Sequence, residues 1–185
     1  MIAGYFKGIL DKIVGAIFLV VLSFPGLILA ILIVALLDRS LLTISVTLGI
    51  LGVAPIGRLA RAQTLSFSER EFVMAAETLG AKKSRILIKE LLPNVLIPMS
   101  TLAMLVIAVA IVGEGTLAFL GLSVQGSATW GKLILTGSGL STLESSPWVA
   151  FVPMGFLFLT VASFNYLSDR IRDYFDVRDI FVTRD

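Results

Sequence analysis

The sequence predicts an all-α, polytopic transmembrane bundle of four or five membrane helices, and three observations predict it. Of 185 residues, 57% are hydrophobic, and the mean hydropathy is +0.97. The apolar residues gather in four long uncharged runs, 13–37, 40–57, 91–113 and 145–168, and a helix crosses a bilayer with about 20 mostly apolar residues. The runs do not alternate polar with apolar, as the roughly ten-residue strands of a membrane β-barrel would.

Basic residues set the expected sidedness, because Lys and Arg favour the cytoplasmic face of membrane proteins. With the N-terminus inside and four alternating spans, 13 of the 15 basic residues lie inside; only Arg39 and Lys132 lie outside. The opposite orientation reverses that count. The chain is therefore read as a multi-pass protein of the cytoplasmic (inner) membrane with both termini cytoplasmic. The first apolar run is too long for a signal peptide and lacks a small-residue cleavage site.

The elements follow in order. Residues 1–12 are short and amphipathic, which suits the membrane interface. The first span covers about 13–37. Asp38-Arg39-Ser40 is a tight outside turn, so the second span, about 40–57, is its antiparallel neighbour. A charged loop, 58–93, follows on the inside. Within it, Ser68-x-x-Glu71 has the pattern of a capping box. Phe72, Ala75, Ala76 and Leu79 fall at i, i+3, i+4 and i+7, one apolar face of a helix. Gly80 is placed to end that helix. A second short helix is expected over 84–92, ending at Pro93, so the loop reads as a two-helix elbow.

The third span covers about 94–113. An outside region, 114–146, is rich in Gly, Ser and Thr, and its apolar piece 116–124 is too short to cross. The fourth span, about 147–167, opens near Trp148, and a charged tail, 168–185, is cytoplasmic. The whole is read as one transmembrane domain. Pro25, Pro55, Pro98 and Pro153 lie one in each run, and proline removes a helix hydrogen bond and kinks the helix. A bend in every span suits a bundle around a cavity that changes shape, although membrane helices carry more proline in general.

Several chemistries are excluded or weak. There is no Cys and no His, which removes disulfides, the common zinc sites and Ser-His or Cys-His pairs. Gly126-x-x-x-x-Gly131-Lys132 has a phosphate-loop outline, but Leu133 stands where a Ser or Thr would hold magnesium. Gly52-x-x-x-x-Gly57-Arg58 lacks the Lys as well. No enzyme is expected, and no metal site. Glu114 follows a 23-residue uncharged run. It is read either as an interfacial helix-end charge or, with Pro98, as part of a pore or external mouth that attracts cationic groups.

At the loop the chain resembles the inner-membrane permease subunits of binding-protein-dependent ABC importers, in the dipeptide/oligopeptide (and nickel) branch. Their cytoplasmic signature is Glu-Ala-Ala, three residues, Gly, nine residues, Ile-x-Leu-Pro. Here Ala75, Ala76, Gly80, Leu92 and Pro93 match at that spacing, while Met74 replaces the Glu and Glu90 the Ile. The stretches FPGLILAILIVALL, LARAQTLSFSEREFV, GEGTLAFLGLSV and FNYLSDRIRDYFDVRD are similar to that branch as well, so the resemblance covers essentially the whole chain. Members carry further spans before the segment matching Gly4-Tyr5, so the resemblance implies a permease without its N-terminal part.

The resemblance implies a type I importer permease fold, with Glu71, Phe72, Ala75, Ala76, Leu79, Gly80, Leu92 and Pro93 coupling it to an ATPase. It implies partners too: cytoplasmic ATP-binding subunits, a second homologous permease, an external solute-binding protein and membrane lipid, but no nucleic acid. ATP would be used by the partner, with no cofactor bound by this chain. The function implied is ATP-driven uptake of di- or oligopeptides. The alternatives are nickel or another small solute, or a passive channel or membrane scaffold without an ATPase.

Overall fold

The computed structural model describes residues 1–182, with side chains to Phe175, and every regular element among them is helical. In chain order these are α1 (Ile2–Phe6), α2 (Gly8–Ser23), α3 (Gly26–Leu36), α4 (Leu41–Ser68), α5 (Glu71–Thr78), α6 (Lys83–Phe119), α7 (Trp130–Gly137), α8 (Leu140–Ser145) and α9 (Trp148–Val182). Among the described residues, three helices are long and apolar enough to cross a membrane: α4, α6 and Trp148–Phe175 of α9. The pair α2 and α3 makes a fourth if taken as one broken span.

Only 11–17% of the most apolar stretch of each long helix is buried within the chain. Leu42, Val109 and Phe158 are all at least 69% exposed. Apolar surface costs about 25 cal/mol per Å² when left in water, so these faces require a lipid or protein cover. The protein is a multi-pass membrane protein.

The first apolar run is not one helix but two, broken at Phe24–Pro25. Pro25 is the extended N-cap of α3 (φ −61°, ψ 113°), and a residue before proline is disfavoured in the helical region. Pro55, Pro98 and Pro153 instead lie inside continuous helices.

The chain divides into two compact units. One comprises Met1–Ser23, Val53–Ala103 and the chain from Asp169; the other comprises Phe24–Gly52 and Met104–Ser168. The first has a small core of Val73, Ile86 and Leu91, against which Met1, Tyr5, Phe67 and Ala76 pack. In the same unit Arg61 grips Asp11 by two bonds, from Nε to Oδ1 and from Nη2 to Oδ2 (the latter 2.6 Å). The second unit is built on Ala30, Val34, Ile44, Leu117 and Leu122. There Arg39 donates to the Gly121 carbonyl at 2.8 Å, and its own carbonyl accepts from the Gln125 N–H at 3.1 Å. Arg39 thus satisfies a carbonyl in the turn just past α6. A Cβ on Gly131 would strike the Gly115 carbonyl and lie 2.7 Å from Ala118 Cβ, so only glycine lets α7 lie this close to α6. Trp130 stacks on Phe156 with ring centres 5.3 Å apart.

The helices overrun the bounds expected of the spans. α4 runs to Ser68 rather than ending near residue 57, because no breaker intervenes and its polar end is held by Arg61–Asp11. α6 ends at Phe119 rather than 113, so Glu114 is helical. The region 114–146 holds two further short helices, α7 and α8, and α9 continues through 168 to Val182, where a separate tail was expected. The last residues of that tail, with Arg184, lie outside the described residues.

Candidate functional site

The elbow begins where α4 stops. Ser68 donates its hydroxyl to the Leu65 carbonyl at 2.8 Å, so the expected capping box with Glu71 does not form. The Arg70 N–H instead closes a turn on the Phe67 carbonyl at 3.1 Å, and Arg70 is the N-cap of α5 without a side-chain cap bond. Glu71 is left exposed in the first turn, where a carboxylate suits the positive helix end.

α5 buries a different edge from the one its spacing suggests. Val73 is the fully buried residue, with Ala76 half-buried beside it. Phe72, Ala75 and Leu79 stay exposed, Leu79 at 88%. The apolar stripe therefore divides: Val73 and Ala76 hold the helix to its core, and the other three face outward.

Gly80 locks the corner. Its φ is +76°, a conformation that costs an L side chain roughly 1–2 kcal/mol. Its N–H donates to the Glu77 carbonyl at 2.9 Å, and the Ala81 N–H reaches the Ala76 carbonyl at 3.0 Å. These two bonds are a Schellman cap, and Ala76 and Ala81 pack on the same core.

The expected second short helix ending at Pro93 is absent. α6 starts at Lys83, passes through a π-helical stretch, Ile86–Leu91, and runs on through Pro93. A proline in regular α-helix would clash with the carbonyl four residues back and remove its bond. Here the Leu92 N–H bonds to the Leu87 carbonyl, five residues back, which opens the turn. Asn94 then donates its side-chain amide to the Glu90 carbonyl at 2.6 Å. Leu92 is half-buried and Pro93 exposed. The elbow is thus one short helix joined by a rigid glycine corner to the start of a membrane-length helix.

The N-terminal segment braces the corner, a role its amphipathic pattern did not disclose. Tyr5 donates to Glu77 Oε1 at 3.1 Å. Burial, and then that hydrogen bond, hold its phenol above the ordinary tyrosine range. Lys83 lies 5.7 Å from the Phe6 ring centre, within cation–π range. Lys7 and Glu69 pair at 3.4 Å but both are exposed, so they add little. Val73, Ile86 and Leu91 also escaped sequence reasoning, because in a run of mixed apolar residues nothing marks which ones turn inward.

Glu114 and Pro98 are not brought together. Both lie in α6, sixteen residues and more than four turns apart. Glu114 Oε1 is buried without a hydrogen-bond partner. Among the described residues no group of three or more Asp or Glu is placed to hold a metal. What the elbow offers is mechanical: a stiff corner with exposed apolar side chains, continuous with a membrane helix.

The chain is similar to several curated peptide-transport permeases. It is 37% identical over 177 residues to the dipeptide transport system permease protein of Alkalihalophilus pseudofirmus, covering 95% of this chain and 58% of that protein. It is 35% identical to the oligopeptide transport system permease proteins of Bacillus subtilis and Escherichia coli, covering 95% and 93% of this chain and 57% of each relative. The chain thus spans somewhat over half the length of these relatives. The model of the binding-protein-dependent transport system inner membrane component matches residues 1–178, and the chain belongs to that family of transport permeases.

Proposed function

We propose that this chain is a transmembrane permease subunit of an ATP-driven importer of di- or oligopeptides, and that its elbow is the part an ATPase pushes. The observation that carries this is the glycine corner. It fixes α5 rigidly to α6 while presenting Phe72, Ala75 and Leu79 outward. A lever needs stiffness at the joint and an apolar face for its neighbour. Cytoplasmic ATP-binding subunits would supply ATP and its hydrolysis, a second permease the other half of the pathway, and an external binding protein the solute. In this reading the elbow and both termini are cytoplasmic, in agreement with the bias of basic residues. Peptide stands ahead of nickel because the relatives are named for dipeptides and oligopeptides.

The test is reconstitution of the chain with its ATPase, second permease and binding protein in liposomes. Gly80→Pro cannot adopt φ +76° and loses the N–H bonded to Glu77. Ala76→Leu overfills its packing against the core of Val73, Ile86 and Leu91. Both variants should insert normally but show about tenfold or more lower peptide uptake per ATP hydrolysed. Wild-type coupling in Gly80→Pro would remove the elbow from the mechanism.

A further inference from the structure

Beside the glycine corner lies an open cleft of about 430 Å³ whose walls include Lys82, Ser84, Arg85, Ile88 and Lys89. That volume is ample for a small polar headgroup. Lys82, Arg85 and Lys89 follow one another at intervals of three and four residues, so they lie along one side of the start of α6. Among the described residues none of the three forms an ion pair, whereas Lys7 and Arg61 each hold a carboxylate and Lys83 lies over Phe6. Gly80, Ala81 and Ile88 make its apolar walls, and Ile88 is 63% exposed.

Position decides what fits. The uncharged run begins at Leu91. The π-helical stretch 86–91 rises less than the roughly 1.5 Å per residue of an α-helix, so Lys89 lies within about 3 Å and Arg85 within about 9 Å of the start of that run. The polar headgroup layer is on the order of 5–7 Å thick on each side of the bilayer. Long basic side chains at these two positions end in that layer, and Lys82 closes the cleft from the water side. Ile88 lies three residues before the uncharged run, beside the two basic positions.

We infer that the cleft of Lys82, Arg85 and Lys89 binds the phosphate headgroup of an anionic phospholipid. Ser84 supplies a neutral donor, and Ile88 packs on the lipid's glycerol and upper acyl chain. The site depends on the membrane reading and not on ATPase coupling, so either can fail alone.

Native mass spectrometry of the full chain in neutral detergent, titrated with phosphatidylglycerol, phosphatidylcholine or inorganic phosphate, tests this. The wild type should retain phosphatidylglycerol in preference to phosphatidylcholine. The triple variant Lys82→Gln, Arg85→Gln, Lys89→Gln should bind phosphatidylglycerol about a hundredfold more weakly, from roughly a fivefold contribution per basic residue near the surface. A control carrying Lys7→Gln, Lys12→Gln and Arg58→Gln should match the wild type, and circular dichroism should show all three chains equally helical. Equal loss in the control would reduce the effect to net charge and overturn the site. Inorganic phosphate binding as tightly as the lipid would make it a free-phosphate site. Unchanged lipid retention in the triple variant, with loss of a co-purifying ATPase, would assign the cleft to a protein partner. Either of the last two results overturns the inference.

Discussion

Glu114 and Arg61 treat charge in opposite ways. Arg61 is half-exposed and meets Asp11 through two parallel bonds, a geometry that guanidinium and carboxylate share. Glu114 is left incomplete. The Thr129 hydroxyl oxygen accepts the Lys132 N–H at 3.3 Å. The Lys132 ammonium turns away to the Ser127 carbonyl at 3.4 Å. Glu114 Oε1 is buried without a donor, and an unsatisfied buried polar atom costs about 1–3 kcal/mol. A side chain held at such a cost is poorly explained by stability. Glu114→Gln is expected to leave membrane insertion intact and thermal stability within about 1 kcal/mol, while changing the concentration dependence of peptide uptake in proteoliposomes. Uptake kinetics identical to the wild type would return Glu114 to the status of a helix-end charge.

At the scale of elements, the apolar runs and the elbow's glycine were legible because each is fixed by short-range physics: hydrocarbon thickness in one case, a positive φ in the other. The helix ends were not. A polar residue following an apolar run marks where lipid stops, but it does not unwind a helix, so α4 passes Arg58 and Arg61 and continues to Ser68. Ser68 with Glu71 satisfies the capping pattern, yet the Ser68 hydroxyl is spent on Leu65. Pro93 reads as a stop because proline costs a regular α-helix a hydrogen bond and kinks it, and the π-helical stretch before it lies outside what proline spacing discloses. The inward face of α5 shifted by one residue because Val73, not Phe72, meets Ile86 and Leu91. In a short helix with apolar residues on several sides, only the partner element decides which side is buried. The π stretch carries a prediction of its own. Asn94→Ala removes the amide that covers the Glu90 carbonyl and should destabilise the elbow by about 1 kcal/mol. Faster amide hydrogen exchange over 86–94, with exchange in α9 unchanged, would register it. Uniform exchange across both would mean the bond contributes nothing local.

For the whole molecule, so much apolar surface is left uncovered by the chain that lipid or other protein must do most of the covering. The direction in which the bundle sits is then fixed chiefly by charge. With both termini cytoplasmic, as proposed, thirteen basic residues fall on one side against two on the other, a strong bias. Both exceptions are hydrogen-bonded: Arg39 to the Gly121 carbonyl just past α6, and Lys132 to the Ser127 carbonyl. The chain contains no cysteine, so single introduced thiols report sidedness without background. Leu79→Cys and Leu140→Cys replace side chains that are 88% and 81% exposed, and neither belongs to a buried core. In intact cells a membrane-impermeant thiol reagent should label the variant at 140 and spare the one at 79, and in inverted membrane vesicles the pattern should reverse. Labelling at 79 from outside intact cells would put the elbow out of reach of any cytoplasmic ATPase, and a lever with nothing to push it could not drive transport.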